Sequence, residues 1–344
     1  MHMNRIVGNN QPYVEASGLR DISISGAVVK IQGLAEDQLL NISGMALPVV
    51  SSWFPRDLEA QKIVLFPDLC PTKAPLPTGT AVLTTMPDWR RFAISDCGCG
   101  MRLVNTEINI ADFNEKDFDA LGRIIQSNNG KLGDLGRGNH FLDAIVSNSN
   151  DKLSFLIHTG SLKESNLVDA YIDNPKVFDV KFDDTVRWAA DNRATIASAI
   201  ESIFGTCKLV LDLPHNTFEK IDDSSVIIRK GAVKALPGQL SIIPSTLDGD
   251  IALVEATKCV TESLHSLCHG TGRAMPRSEA KEIAETYDFK KLRSRVYIPE
   301  YIKDHSLRSE APFAYRNLDE CLTLMSDFVE VKERFSVIGY LGHL

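Results

Sequence analysis

Histidine and glycine recur together in this chain at short breaks behind apolar, strand-like segments, and this pattern constrains the fold more than any other feature. Alternating apolar runs predict strands, and the breaks behind them are chain reversals where side chains from different strands can meet. Such runs lie at residues 28–31, 62–66, 155–158, 208–213 and 226–229. We therefore expect a sheet whose strand ends gather histidines around one pocket.

Helical periodicity predicts the other half of the fold. Apolar residues with helical spacing occupy residues 115–127, 183–204, 278–287 and 317–328. Strands and helices interleave without a regular βαβ alternation, which favours a mixed α+β fold over a doubly wound sheet. The chain has 344 residues, of which 44% are apolar, enough for one large domain or two modest ones. We expect a single domain over residues 1–344, with mixed β-sheets and surrounding helices.

Charge and apolar pattern restrict the partners. The net charge of −8 has the wrong sign for a protein that coats nucleic acid non-specifically, so any RNA contact must come from a local basic patch or a bound metal. No segment approaches the roughly 18 apolar residues that a membrane span needs, and the polar first residues do not resemble a signal peptide. We expect no membrane partner and a cytoplasmic location. The cysteines are odd in number and scattered through the chain, which favours free thiols over a disulfide framework.

The segment from residue 94 to residue 102 carries the first candidate metal ligands. Asp96 and Cys99 are spaced D-x-x-C, and Gly98 and Gly100 allow the backbone to turn tightly around them. A carboxylate and a thiolate that face one point suit a borderline divalent cation. The alternative interpretation is a buried turn with a structural cysteine.

Further candidate ligands are histidines that follow glycine-rich or strand-like segments. His140 stands with Asn139 behind a run of glycines, and His158 and His215 each close an apolar run. A strand fixes the position of the residue at its end, so these histidines are well placed as ligands, although a lone buried histidine is more often a core residue. With the Asp–Cys pair they fit two cations that share a thiolate better than one tetrahedral zinc ion.

The segment from residue 264 to residue 277 suggests a nucleophile. His265 and His269 are spaced i, i+4, so a helical metal pair is conceivable, but the glycines at positions 270 and 272 predict that any helix ends at His269. A histidine followed by Gly-Thr-Gly-Arg273 suits attack on a phosphate, because the arginine and the exposed backbone amides would hold the phosphate charge.

Seven motifs in this sequence occur in the order found in one enzyme family: D-x-x-C-G-M, G-N-H-F, H-T-G-S, A-A-D-N-R, L-P-H-N, I-R-K-G-A and H-G-T-G-R. The chain therefore resembles the RtcB-type RNA-splicing ligases, from about Pro67 to Tyr315, and is identified as a divergent member. The resemblance implies an RtcB-like fold. It also implies an enzyme that uses GTP and two Mn²⁺ ions to join an RNA 3′-phosphate or 2′,3′-cyclic phosphate to a 5′-hydroxyl.

The same resemblance implies a role for each candidate residue. Cys99 would bridge the two metals, His269 would attack the GTP α-phosphate and carry GMP, and two pairs of residues would complete the metal sites: Asp96 with His140, and His158 with His215. The remaining positions would contact the nucleotide: Asn139 and Arg273 at phosphate oxygens, Asp143 in place of the usual glutamate at the guanine edge, and Thr246 and Tyr315 beside GMP.

Roles in tRNA splicing and RNA repair, a possible protein activator and a monomeric state are further implications of the resemblance. Three departures leave the reaction open. Leu162 stands where the family has a phosphate-holding arginine, Cys70 stands where it has a histidine, and the near-terminal lysine expected at the guanine is missing from 339–344. The alternatives are nucleotidyl transfer or phosphate-ester hydrolysis on RNA ends, and a non-ligating member that keeps metal and nucleotide binding.

Overall fold

The computed structural model describes residues 34–93 and 95–342. Its strands are β1 (Leu39–Asn41), β2 (Lys62–Cys70), β3 (Thr78–Thr84), β4 (Gly100–Asn109), β5 (Phe141–Ser147), β6 (Lys152–Thr159), β7 (Lys208–Pro214), β8 (Asn216–Lys220), β9 (Val226–Lys230), β10 (Ala232–Lys234), β11 (Leu240–Pro244), β12 (Asp250–Ala256), β13 (Ser266–Cys268) and β14 (Val329–Gly342). The strand predicted at residues 28–31 lies outside the described residues, and the other predicted strands are confirmed.

The α-helices of the described residues are α1 (Leu47–Val50), α2 (Arg90–Ala93), α3 (Glu115–Ser127), α4 (Ser165–Val168), α5 (Pro175–Phe204), α6 (Arg277–Ile283), α7 (Phe289–Arg293), α8 (Asp304–Leu307) and α9 (Leu318–Leu324). None of these helices combines the length and the apolar character that a membrane span requires.

The strands form two large sheets and a small one. The order in the larger sheet is β11-β12-β14-β5-β6-β4-β7, and all of its pairings are antiparallel. Its end strands β11 and β7 contact each other, so this sheet is nearly closed. The second sheet has the order β1-β2-β3-β9-β8, with one parallel pair, and β10 pairs with β13. The predicted mixed α+β class is therefore confirmed.

Helix α3 shows how the sequence pattern becomes packing. Phe118, Leu121 and Ile125 recur at helical spacing and are fully buried, so one apolar stripe faces the larger sheet. The Asn114 side chain accepts a hydrogen bond from the Lys116 amide and caps the first turn. The predicted bounds 115–127 are confirmed.

Helix α5 is longer than the sequence pattern predicted. It begins at Pro175 instead of residue 183, because Asn174 caps it by accepting from the Val177 amide and proline suits the first helical position. The helix ends at Gly205, whose φ of +77° stops it. It packs against β4, β6 and β7, and so lies behind the strand ends that carry the candidate site.

Two other predicted helices are shorter than expected. The segment 278–287 is helical as α6 from Arg277, and a 3₁₀ turn at Ala284–Thr286 ends it. The segment 317–328 forms α9, capped by the Asn317 side chain, and the chain leaves it at Met325 to enter β14. In both cases the position of the helix is confirmed and the end is corrected.

Candidate functional site

Four of the candidate metal ligands lie at the ends of four neighbouring strands of the larger sheet, all on the same side of the sheet's strand ends. Cys99 directly precedes β4, His140 precedes β5, His158 is near the end of β6, and His215 follows β7. The register brings these ends together, since Gly100 pairs with both Thr159 and Pro214, and Phe141 pairs with His158. The structure thus gathers the histidines that the sequence pattern placed at strand ends.

The ligands form two groups that share one sulfur. Asp96, Cys99 and His140 make the first group and Cys99, His158 and His215 the second, with the ligand atoms of each group within 4.8 Å of one another. The Cys99 Sγ lies 3.4 Å from Nε2 of His140 and 3.4 Å from Nε2 of His158. His140 Nε2 is 3.7 Å from Asp96 Oδ2. Two cations could therefore share one thiolate here.

Backbone carbonyls fix the orientation of two of these imidazoles. His140 Nδ1 lies 3.0 Å from the Leu135 carbonyl oxygen, and His158 Nδ1 lies 3.1 Å from the Asn139 carbonyl oxygen. Because a carbonyl can only accept, each Nδ1 carries the proton and each Nε2 keeps its lone pair. Metal-binding histidines are held in this way.

Burial of the Cys99 thiol and of two histidines favours their uncharged forms, so a thiolate here requires a neighbouring cation. It raises the pKa of the Cys99 thiol well above its usual range and lowers the pKa of His158 and His215 well below theirs. Neutral imidazoles are the metal-binding form, and a buried thiolate needs a cation beside it. His215 Nδ1 is buried and, among the described residues, has no hydrogen-bond partner. The donor set and this unpaired nitrogen fit divalent metals.

The turn that carries Asp96 is strained and held in place. Ser95 and Asp96 have φ angles of +84° and +54°, a region that residues with side chains rarely adopt. Asn216 Nδ2 donates to the Asp96 carbonyl oxygen at 3.0 Å, and Lys230 Nζ donates to the Ser95 carbonyl oxygen at 2.8 Å. Burial opposes ionisation of Asp96, yet the neighbouring His140 and Lys230 hold the pKa of its carboxyl below the ordinary range.

A buried arginine of α5 fixes the loops on either side of the shared sulfur. Arg193 is 1% exposed, and its Nη1 donates to the carbonyl oxygens of Gly98 and Thr159, both at 3.0 Å. Its Nε donates to Asp212 at 2.7 Å. Arg193 belongs to the A-A-D-N-R motif, but the sequence analysis gave it no role.

The residue before it does the same for the glycine-rich loop. Asn192 is fully buried, its Oδ1 accepts from the Gly133 amide at 2.7 Å, and its Nδ2 donates to the Asp134 carbonyl oxygen at 2.8 Å. A consecutive polar pair on the buried side of a long helix is the sequence signal for both residues.

The candidate nucleophile is held by a buried carboxylate. His269 Nδ1 lies 2.5 Å from Asp68 Oδ2 and 2.8 Å from the Gly231 carbonyl oxygen, and Asp68 is fully buried in β2. The ring of His269 is 4.4 Å from that of His215, measured between centroids. The proton on Nδ1 is thus shared between acceptors, which leaves Nε2 as the nitrogen with a free lone pair. The sequence analysis missed Asp68, although it named Pro67 and Cys70 on either side of it.

The conceivable helical pair of His265 and His269 does not form. Residues Ser266–Cys268 are strand β13, which pairs with β10. Leu264 and His265 have φ angles of +56° and +48°, so the backbone turns sharply before the strand and cannot continue a helix. His269 is positioned by Asp68 instead.

A cavity of about 690 Å³ opens beside the metal ligands. His158 and His269 lie in its wall. The predicted nucleotide contacts all line it: Asn139, Asp143, Thr246, Arg273 and Tyr315. A volume of this size is typical of small-molecule sites. The structure therefore brings the metal ligands, the nucleophile and the nucleotide contacts to one place.

The cavity contains a buried acid that the sequence analysis missed. Glu310 is 4% exposed, and its Oε2 lies 3.1 Å from Arg273 Nη1 and accepts a hydrogen bond from the Tyr315 hydroxyl. Its Oε1 accepts from Arg277 Nε at 3.1 Å. Glu310 therefore orients two arginines of the cavity wall. No local pattern marked it, because its partners are distant in sequence.

Asp143 is the other unusual acid of the cavity. It is 3% exposed, and its Oδ1 has no hydrogen-bond partner within the described ranges. Burial raises the pKa of this carboxyl well above its ordinary range. A protonated carboxyl can donate as well as accept a hydrogen bond, so Asp143 is an unpaired polar group available to a ligand.

Comparisons with known proteins agree on one family. A family model described as tRNA-splicing ligase RtcB matches residues 180–341. The RNA-splicing ligase RtcB of Escherichia coli K12 is 29% identical over 254 residues, which cover 61% of this chain and 60% of that protein.

Two further relatives have the same description. The RNA-splicing ligase RtcB2 of Escherichia coli ATCC 25922 is 28% identical over 79% of this chain and 85% of that protein. The tRNA-splicing ligase RtcB of Nanoarchaeum equitans is 24% identical over 59% of this chain and 58% of that protein. The matched region thus spans about 60% of the length of some relatives and more of others.

The shared sulfur leads to a prediction about metal content. Replacing Cys99 by alanine should remove both bound cations, because both ligand groups contain it, whereas His215→Ala should remove mainly one. Elemental analysis of variants purified with Mn²⁺ measures this. Cys97→Ala is the matched control, since Cys97 is equally buried and contacts the Ala93 carbonyl oxygen instead. Two equivalents of metal in Cys99→Ala would contradict the shared-ligand assignment.

The second prediction concerns the support from α5. Arg193→Met should lower the free energy of unfolding by about 3–5 kcal/mol, because it removes one partner of a buried ion pair. Urea denaturation provides the measurement. Arg187→Met on the same helix is the control: its side chain is 73% exposed and, among the residues the structure describes, forms an ion pair with Asp184 alone, so its effect should stay below about 1 kcal/mol. Equal losses in both variants would show that Arg193 is not a support.

Proposed function

We propose that this chain is a divergent member of the RtcB family and a metal-dependent RNA ligase. It would join an RNA 3′-phosphate or 2′,3′-cyclic phosphate end to a 5′-hydroxyl end through a His269–GMP intermediate. The observation that carries this proposal is the position of His269, which is held by buried Asp68 and lies against both the metal ligands and the cavity.

The geometry of His269 supports nucleophilic attack. Its Nδ1–H donates to the Asp68 carboxylate, so Nε2 carries the lone pair. In the proposed step Nε2 forms a bond to the α-phosphorus of GTP, the bond from that phosphorus to the bridging oxygen breaks, and pyrophosphate leaves. The ring then becomes positively charged, and Asp68 stabilises that charge, much as a carboxylate supports histidine in catalytic triads.

The metals are proposed to be two Mn²⁺ ions. Asp96, Cys99 and His140 would hold one, and Cys99, His158 and His215 the other. When bound, such cations supply positive charge beside the phosphates of the nucleotide and of the RNA. This would let an acidic protein handle an acidic substrate. Backbone carbonyl oxygens at Nδ1 of His140 and of His158 keep these two imidazoles in the form that such ions need.

GTP is the proposed nucleotide. Asn139 and Arg273 would contact its phosphate oxygens, with Arg273 oriented by Glu310. Thr246 and Tyr315 line the same cavity and would lie beside GMP, and the unpaired carboxyl of Asp143 offers a hydrogen bond to the base. A buried polar group left unpaired is costly, so a base that satisfies Asp143 would be favoured over one that does not.

The proposed partners are RNAs with a 3′-phosphate and a 5′-hydroxyl end, as arise in tRNA splicing and RNA repair. We further propose one domain over residues 1–344, a monomer, a cytoplasmic location and a protein activator as an additional partner. The single domain and the location rest on the sequence pattern, whereas the monomer and the activator rest on the resemblance to the family.

A second candidate is an enzyme that transfers the nucleotide or hydrolyses phosphate esters on RNA ends without sealing them. The apolar side chain of Leu162 favours it. Leu162 lies against the loop in front of His140, where the resemblance implies an arginine that holds phosphate. Leucine cannot replace a permanently charged, bidentate donor.

The third prediction tests the covalent intermediate. Incubation with Mn²⁺ and GTP radiolabelled at the α-phosphate should label the protein with an acid-labile, base-stable bond, as expected of a phosphoramidate. His269→Ala should abolish the label. Asp68→Asn should slow labelling about 10- to 100-fold, because a charge-assisted hydrogen bond is lost.

His265→Ala is the matched control, since this histidine lies outside the cavity lining and should label at the normal rate. Label retained in His269→Ala would place the nucleophile elsewhere and contradict the proposal.

A further inference from the structure

An exposed arginine stands on a glycine-flanked loop beside the metal ligands. Arg137 lies between Gly136 and Gly138, whose φ angles are both +84°, a conformation that glycine adopts freely. A Cβ at Gly136 would be 2.9 Å from His140 Nδ1 and 2.4 Å from Leu162 Cδ2. The loop therefore packs closely against a metal ligand, and Arg137 on this loop is exposed to solvent.

The guanidinium of Arg137 is free to bind a ligand. Within the described ranges it has no hydrogen bond, ion pair or ring contact. The nearest acid in sequence, Asp134, is engaged with the backbone, since its two oxygens accept from the amides of Gly130 and Gly136 at 2.6 and 2.9 Å. Arg137 is thus a full positive charge without an internal partner.

Two lysines extend this charge into a small basic rim, formed by Lys131, Arg137 and Lys163. Lys131 and Lys163 are exposed and, in the part of the chain that the structure describes, have no carboxylate partner. Lys163 follows Leu162 directly, and its Nζ lies 3.3 Å from where a Cβ at Gly130 would be. The rim therefore includes residues of the glycine-rich loop and of the segment that follows β6.

These three cations form a local basic patch in a protein whose net charge is −8. Cations of this kind suit a polyanion whose phosphates replace the missing partners. Arginine suits phosphate better than lysine, because its planar fork donates two parallel hydrogen bonds. The alternative interpretation is a solvated surface arginine, and the experiments below distinguish the two.

That close approach places Leu162 beside Gly136, the residue before Arg137, and beside the metal ligand His140. Resting on the proposed function, we propose that Arg137 binds a phosphate of the RNA strand that ends at the metal site, and so supplies the guanidinium that Leu162 lacks. Lys131 and Lys163 bind phosphates farther along the same strand.

The first experiment compares the two steps of the reaction. Single-turnover sealing of a 3′-phosphate/5′-hydroxyl RNA pair is measured beside labelling of His269 by GTP. Arg137→Ala should slow sealing about 10- to 100-fold and leave labelling within about twofold, and Arg137→Lys should fall between. Lys208→Ala is the control: this exposed lysine lies at the other end of β7 from His215 and should change neither step.

The second experiment tests whether the two positions share one task. Leu162→Arg should restore most of the lost sealing rate in the Arg137→Ala protein and add little to the unchanged protein. Such non-additivity is expected when two residues serve one contact. A purely structural role for Arg137 would not be rescued from position 162, so additive effects would overturn the proposal.

RNA binding gives a readout that does not need catalysis. The affinity for a single-stranded RNA with a 3′-phosphate is measured over a range of salt concentrations. Arg137→Ala should reduce the slope of log affinity against log salt by about 0.7, the value for one lost phosphate contact on a single strand, and Lys208→Ala should leave it unchanged.

The two proposals fail in different ways. If the unchanged protein does not label His269, the proposed function fails, and the salt slope still decides whether Arg137 contacts phosphate. If labelling and sealing proceed normally in Arg137→Ala, or if its salt slope equals that of the unchanged protein, the role of Arg137 is overturned while the ligase proposal stands.

Discussion

The Cys99 sulfur, 3.4 Å from an imidazole nitrogen on each side, is the point on which the rest of the site depends. A buried thiol of this kind is inert without positive charge, and burial alone raises its pKa. The register of β5, β6, β4 and β7 brings both histidines to it, and it belongs to both ligand groups. Metal binding therefore depends on the alignment of these four strands.

Buried polar groups of α5 and β2 hold the ligand loops and His269 in position, and their burial costs desolvation free energy. The side chains of Arg193 and Asn192 are buried and donate hydrogen bonds to carbonyl oxygens of the ligand loops. The buried Asp68 carboxylate accepts a hydrogen bond from His269 Nδ1 and so orients that ring. Replacing a buried ion pair by apolar residues is often neutral or favourable to stability. Groups of this kind, grouped behind one cavity, are better explained by positioning than by stability.

The sequence predicted the candidate site better than it predicted what holds the site together. The ligands were found because each stands at a glycine or at a strand end, which are local signals. Asp68 and Glu310 were missed because their partners, His269 and Arg273, are distant in sequence and only the fold pairs them. The pairing of His265 with His269 failed for the same reason, since strand β10 offered a partner that helical spacing could not reveal.

Anomalous diffraction at the manganese absorption edge, from crystals grown with Mn²⁺, tests the central claim most directly. The account predicts two peaks, one among Asp96, Cys99 and His140 and the other among Cys99, His158 and His215, with the Cys99 sulfur bonded to both ions. A single peak, or two peaks of which one lies beyond bonding distance of Cys99, would contradict it.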